Sequence, residues 1–244
     1  MPLNKYHSEI LAETRKQAKK KDKALSQWLQ GYLGTKKHCY FLKSADIKII
    51  ARDFIKKHED FSDKEWMKLL DSLYAGKSNE ELSVAARIIG YLPEFKNRVC
   101  PKALSKWLGK TEGWAEADIL CQSNFSAEEI LKKWKEWKEF LIKLSQNKNI
   151  HKRRASLVLL VRAARELSDK RLINLALQNI ERLKKEKEIL ITKAISWILR
   201  DASDNFRKEV GDYLDKNESS LPKIAVRETR RKLETGRKTR KKVK

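Results

Sequence analysis

The chain has 244 residues, of which 56 are Lys or Arg and 33 are Asp or Glu, for a formal net charge of +23. Apolar residues make up 41%, and only 8 Gly and 4 Pro are present, which excludes collagen-like and low-complexity classes and disfavours turn-rich sandwiches and barrels. What remains is a soluble, helical, basic protein whose first candidate partner is a polyanion.

Helical period runs along the whole chain. Ser62 with Glu65, Ser78 with Glu81, and Ser126 with Glu129 have the spacing of capping boxes, in which the Ser hydroxyl accepts from the third helical amide and the Glu reaches back. Ser44 and Ser168 open further periodic stretches without a carboxylate at that offset. After Ser44, the residues Ile47, Ile50, Ala51, Phe54 and Ile55 form one helical stripe; Trp66, Leu69, Leu70 and Leu73 repeat it, as do Leu82, Ala85, Ala86 and Ile89. Later blocks run over 130–144, 155–167, 172–183, 189–199 and 224–233. This pattern predicts about twelve helices with short connections. Two helices plus turns make a unit of about 40 residues, the period of HEAT-like repeats. The expected fold is therefore all-α, a superhelical solenoid of HEAT-like helix pairs with a concave basic face for a long ligand. A helical bundle without repeats is the alternative.

One domain over 1–236 accommodates this pattern, followed by a basic tail, 237–244, expected to be disordered. The tail carries +6 of the +23, which leaves +17 on residues 1–236. No apolar run approaches the roughly 20 residues of a membrane span. The start of the chain lacks the apolar stretch of a signal peptide, so a cytoplasmic, nucleoid-associated location is expected, with no membrane partner. Cys39, Cys100 and Cys121 are odd in number with no C-x-x-C pair, and are expected to be reduced thiols. His7, His38, His58 and His151 show no H-E-x-x-H spacing, and His38 beside Cys39 does not make a four-ligand site, so no metal is expected. Gly-rich phosphate loops and the serine-hydrolase elbow are missing too, and no cofactor is expected.

The positive charge recurs at Lys19-Lys20-Lys21, Lys36-Lys37, Lys152-Arg153-Arg154, Arg162 with Arg165, and Arg230-Arg231-Lys232. Each cluster alone is a solvated face; together they suit counterion release from duplex nucleic acid. Arg154 and Arg165, eleven positions apart, share a helix face. That face is either an ordinary ion-pairing stripe or a phosphate clamp, since Arg presents a planar fork to two oxygens. Trp114 and Asp118 are i and i+4 on one face. Lys193, Trp197 and Arg200 share another. The plain reading of both is core filler with an ion-paired Asp.

The order of these stretches resembles the AlkD-like DNA alkylation repair glycosylases, built of HEAT-like repeats. The resemblance extends from about Leu25 to Leu233. It is carried by Gly31-Tyr32-Leu33-Gly34-Thr35, then Asn79-Glu80-Glu81-Leu82 with Ala85, then Trp114 with Asp118. His151-Lys152-Arg153-Arg154-Ala155, Lys193-Ala194-Ile195-Ser196-Trp197-Ile198-Leu199-Arg200 and Arg227-Glu228 follow in the family's order. The resemblance implies that Asp118 is the catalytic carboxylate, that Trp114 and Trp197 flank the lesion nucleotide, and that Arg154 holds a phosphate, with Tyr32 near the same cleft. Lys193, Arg200 and Arg165 are the further candidate DNA contacts. Gly113 stands where the family often has Trp, and His151 where an aromatic residue opens the Arg154 helix.

The implied activity is a monofunctional DNA glycosylase that hydrolyses the N-glycosidic bond of 3-methyladenine- or 7-methylguanine-type purines in duplex DNA, acting as a monomer in base excision repair. A non-catalytic HEAT-repeat DNA-binding protein is the second reading, and a protein-interaction scaffold the third.

Overall fold

The computed structural model describes residues 4–18, 23–122 and 124–238. The Lys19-Lys20-Lys21 cluster and tail residues 239–244 lie outside them. Among the described residues there are fifteen helices and no strand beyond an isolated bridge between His38 and Ser78. They gather into two compact units, divided between Asn124 and Phe125. Among the described residues no helix is long and apolar enough to cross a membrane.

The first unit holds α1 (Lys5–Lys16), α2 (Lys23–Leu33), α3 (Ser44–Lys57), α4 (Asp63–Tyr74), α5 (Asn79–Tyr91), α6 (Pro93–Lys96), α7 (Pro101–Leu108) and α8 (Trp114–Gln122). The capping boxes at Ser62 and Ser78 form as their spacing predicts. Helix α3 starts at Ser44, but the preceding Lys43 occupies the cap position, its amide donating to Asp46 at 3.0 Å. The helix α5 is the hub of this unit, packed against α1, α3, α4 and α8. Leu82, Val84, Ala85, Ala86, Ile88 and Ile89 of α5 are all fully buried, so apolar area removed from water holds the unit together.

One polar tie crosses that core. His7 of α1 is fully buried, its Nε2 lying 2.6 Å from Glu81 Oε1 and its Nδ1 2.7 Å from the Ser72 hydroxyl. A carboxylate only accepts, so Nε2–H donates to Glu81 and a neutral ring would accept from Ser72 at Nδ1. Burial raises the Glu81 pKa, but hydrogen bonds from His7 and Ser78 outweigh it and hold the carboxyl below its ordinary 4.5. A carboxylate with a depressed native pKa contributes stability that is complete above the unfolded value and lost as pH falls through the native one. Glu81→Gln is therefore expected to flatten the acid limb of a stability–pH curve below about pH 4.5, measured as denaturant midpoints across that window.

The second unit holds α9 (Ala127–Lys132), α10 (Trp134–Ser145), α11 (Ile150–Glu166), α12 (Lys170–Leu183), α13 (Ile189–Ala202), α14 (Arg207–Asn217) and α15 (Lys223–Thr235). Here α13 lies between α11 and α15, while α10 and α12 pack on each other and on α11, so alternate helices form successive layers of stacked pairs. Small residues are buried on both α11 and α13, Ala155 and Ser156 on the first and Ala194 and Ser196 on the second. Sequence periodicity treats 130–144 as one block, yet the chain leaves helical geometry at Lys133 (φ −116°, ψ 40°) and splits it into α9 and α10. The cap of α12 is Asp169 rather than Ser168, with the Asp169 carboxylate accepting from the Arg171 amide at 2.9 Å. The split at Lys133 and the four-residue α6 contribute to the excess of the fifteen observed helices over the roughly twelve expected.

Candidate functional site

In the first unit the site is built where α8 meets the chain that leaves α2. The Trp114 indole Nε1–H donates to the Tyr32 carbonyl at 2.7 Å, and the two rings meet edge to face with centroids 5.6 Å apart. Thr35 donates its hydroxyl to Glu116 Oε1 at 2.6 Å, and the Glu112 amide donates to Glu116 Oε2 at 2.8 Å. Glu116 is buried. The Lys36 amide reaches Glu112 at 3.1 Å. Residues 34–37 and 112–116 are thus stitched together by Glu116, which accepts at both oxygens, and by Glu112. Buried polar groups satisfied in this way make a rigid join.

That join demands close backbone approach. A Cβ on Gly113 would lie 2.4 Å from the Leu33 carbonyl oxygen and 3.1 Å from Thr35 Cβ, while Gly34 has φ +70°. The glycine at 113 is thus required by the local packing. Asp118 follows Trp114 by one helical turn, half-buried like it. Tyr32, Trp114 and Asp118 belong to this one neighbourhood of α2 and α8.

In the second unit the candidates lie on α11 and α13. Arg154 is 5% exposed, and its Nη1 donates to the Leu190 carbonyl at 2.5 Å. Arg165 sits at the exposed end of the same helix and pairs with Asp201 at 3.1 Å. The expected stripe is therefore uneven, buried at Arg154 and open at Arg165. The same Asp201 oxygen accepts from the Trp197 indole at 3.3 Å. Lys193 is exposed. Arg200 lies 3.3 Å from Glu228, which also accepts from the Ser196 hydroxyl at 2.6 Å. Of the remaining sequence clusters, Arg153 is bound bidentately by Glu186, and Arg162, Arg230 and Lys232 each pair with a carboxylate.

The Ser196–Arg200–Glu228 group ties α13 to α15. Removing the carboxylate would leave a poorly solvated guanidinium and a buried hydroxyl without it. Glu228→Ala is expected to cost about 2 kcal/mol, read from the urea midpoint. Glu228→Gln should cost less, since it keeps an acceptor.

Among the described residues no group of three or more His, Cys, Asp or Glu could hold a metal ion. No disulfide joins Cys39, Cys100 or Cys121 among the described residues, and burial pushes the Cys39 thiol up to about 12.

Residues 12–233 match a family described as DNA alkylation repair enzyme. The chain belongs to the DNA alkylation repair enzyme family. A solved structure described as a predicted DNA alkylation repair enzyme from Enterococcus faecalis superposes with a TM-score of 0.67 over 86% of this chain and 95% of that one, at 17% identity. At that identity the likeness is one of fold, and it agrees with the stacked helix pairs. No curated protein matches.

Sequence reasoning missed several residues that shape this family member's candidate site. Glu116 and Thr35 are 81 positions apart, and no local pattern joins them. Asp201 was within reach, because Trp197-x-x-x-Asp201 repeats the spacing of Trp114-x-x-x-Asp118.

Proposed function

We propose that this family member is a monofunctional, monomeric DNA glycosylase that releases cationic alkylated purines from duplex DNA. The observation that carries the reading is the Trp114–Asp118 pair on α8, a carboxylate one turn from an indole whose nitrogen is committed to the Tyr32 carbonyl. An alkylated purine such as 7-methylguanine is already positively charged. Its bond to C1′ breaks with both electrons passing to the base nitrogen, which neutralises that charge without a general acid. Positive charge then develops on the deoxyribose, as in other glycoside hydrolyses. Asp118 would stabilise that charge and orient the water whose oxygen bonds to C1′, with the proton passing to the carboxylate or to solvent.

The indole face of Trp114 suits the sugar and its developing cation. In the second unit, Trp197 would pack against the nucleotide, and Arg154, Lys193, Arg200 and Arg165 would meet phosphates, as the family resemblance implies. Arg154 would share its guanidinium between such an oxygen and the Leu190 carbonyl. Incubation of the protein with methylated duplex DNA, followed by chromatography of the freed bases, tests the activity. Release of 7-methylguanine or 3-methyladenine is the expected result. Salt-dependent DNA binding with no base released would favour the non-catalytic reading instead.

A further inference from the structure

Helix α2 is unlike the other long helices of its unit. None of its side chains from Ala24 to Leu33 is buried, and eleven residues without a packed face are too few to form a stable helix alone. It is held near its C-terminal end, where the Tyr32 carbonyl accepts from Trp114, the Gln30 carbonyl accepts from the Thr35 amide, and the Gln30 side chain donates to the Lys37 carbonyl at 2.9 Å. What α2 presents to solvent is aromatic. Trp28 is 62% and Tyr32 58% exposed, and their rings lie parallel within 5°, with centroids 5.6 Å apart. Tyr32 in turn meets Trp114 edge to face. Three rings thus run in series from open solvent to the start of α8, and Trp28 is the outermost.

The chemistry of the segment that carries this series points to one class of occupant. From Lys16 to Lys43 inclusive the sequence has eight lysines and one acid, Asp22; Lys19, Lys20 and Lys21 lie outside the described residues, and Lys37 lies 3.7 Å from Glu112. Flat aromatic faces set in a lysine-rich segment match an unstacked base carried on a phosphate backbone, the combination by which single-stranded nucleic acid is held. We propose that the open face of Trp28, with Tyr32 beside it, is a stacking subsite for an unpaired nucleobase of the DNA, adjoining the Trp114–Asp118 site. The family resemblance assigns Trp28 no role. The inference rests on DNA as the ligand and on no catalytic step. An alkylated purine would add a cation–π attraction to the stacking.

The test measures dissociation constants of wild type, W28A and W28F for three short duplexes. One is fully paired, one carries a single bulged adenine, and one carries a cleavage-resistant 2′-fluoro-7-methylguanosine. W28A is expected to bind the bulged and methylated duplexes about tenfold more weakly, as loss of one base–aromatic stack implies, and the paired duplex within about twofold of wild type. W28F should recover most of the loss. Equal weakening on all three duplexes, or no weakening on any, would overturn the proposal. So would a wild-type dimer that W28A converts to monomer, since a second copy would then be the occupant of this face. Base release is measured in parallel: a Trp28-dependent preference without any release would refute the glycosylase reading alone, and release without the preference would refute only the subsite.

Discussion

Asp118→Asn should lower release of 7-methylguanine from methylated duplex DNA by a hundredfold or more, while DNA affinity stays at or slightly above the wild-type level. A fixed charge aimed at a developing charge is worth about 10²–10³ in rate when removed. The substitution keeps the size and planarity of the side chain, and Asp118 is half-buried in the middle of a nine-residue helix, so the fold is expected to hold. Losing a negative charge also removes a repulsion from the phosphates. The two readouts therefore separate chemistry from binding. Asp118→Glu is the informative companion, because it keeps the charge and moves it by one methylene. Partial release by Glu and none by Asn would fix the role as electrostatic and positional. Wild-type release by the Asn variant would remove Asp118 from the mechanism and leave the chemistry to other groups.

What the sequence made legible was local. The boxes at Ser62, Ser78 and Ser126 form because each satisfies amides three residues away, an interaction that needs no tertiary partner. The stripes from Ile47 to Phe54 and from Trp66 to Leu73 are buried as their period predicts. The Trp114–Asp118 spacing could likewise be read directly, since i and i+4 share a face on any helix. The break at Lys133 could not, because the same apolar period continues on both sides of it. Nor could the state of the arginines. Arg154 and Arg165 have the same chemistry and nearly the same angular position, yet the first is buried against the Leu190 carbonyl and the second pairs with Asp201 near solvent. Both meet the same neighbouring helix, α13, Arg154 at its first turn and Arg165 at its last, so the difference belongs to what closes over each end of that contact, not to the helix they share. The same holds for charge. A surplus counted along the chain suggests continuous basic faces, whereas Arg153, Arg162, Arg165, Arg230 and Lys232 each have a carboxylate partner in the fold.

Gly113→Ala should be the more damaging of two seemingly modest changes at the head of α8. Read along the sequence, Gly113 is a missing aromatic; in the fold it is the point where two backbones pass too close for a side chain. Its added methyl would stand 2.4 Å from the Leu33 carbonyl oxygen, with Thr35 Cβ at 3.1 Å on another side. Neither neighbour is the far end of a flexible chain: one is backbone, and the other belongs to the residue whose hydroxyl is bound to buried Glu116. Residues 33–35 and the start of α8 would have to separate. Relief of such overpacking costs about 1–3 kcal/mol, which a urea titration would detect as a lower midpoint with an unchanged slope. The separation would also lengthen the 2.7 Å bond from the Trp114 indole to the Tyr32 carbonyl and shift Asp118 with its helix. A displacement near 1 Å at reacting groups can cost about a hundredfold in rate. Base release should therefore fall well beyond what the loss of folded protein explains, even under conditions where the variant is fully folded. Trp114→Phe supplies the contrast, since it removes the indole hydrogen bond but forces no backbone apart: its stability should stay closer to wild type, and its release should fall less than that of Gly113→Ala. The reverse order would mean that the join between 33–35 and α8 yields without moving the carboxylate, and that the indole nitrogen alone holds the geometry.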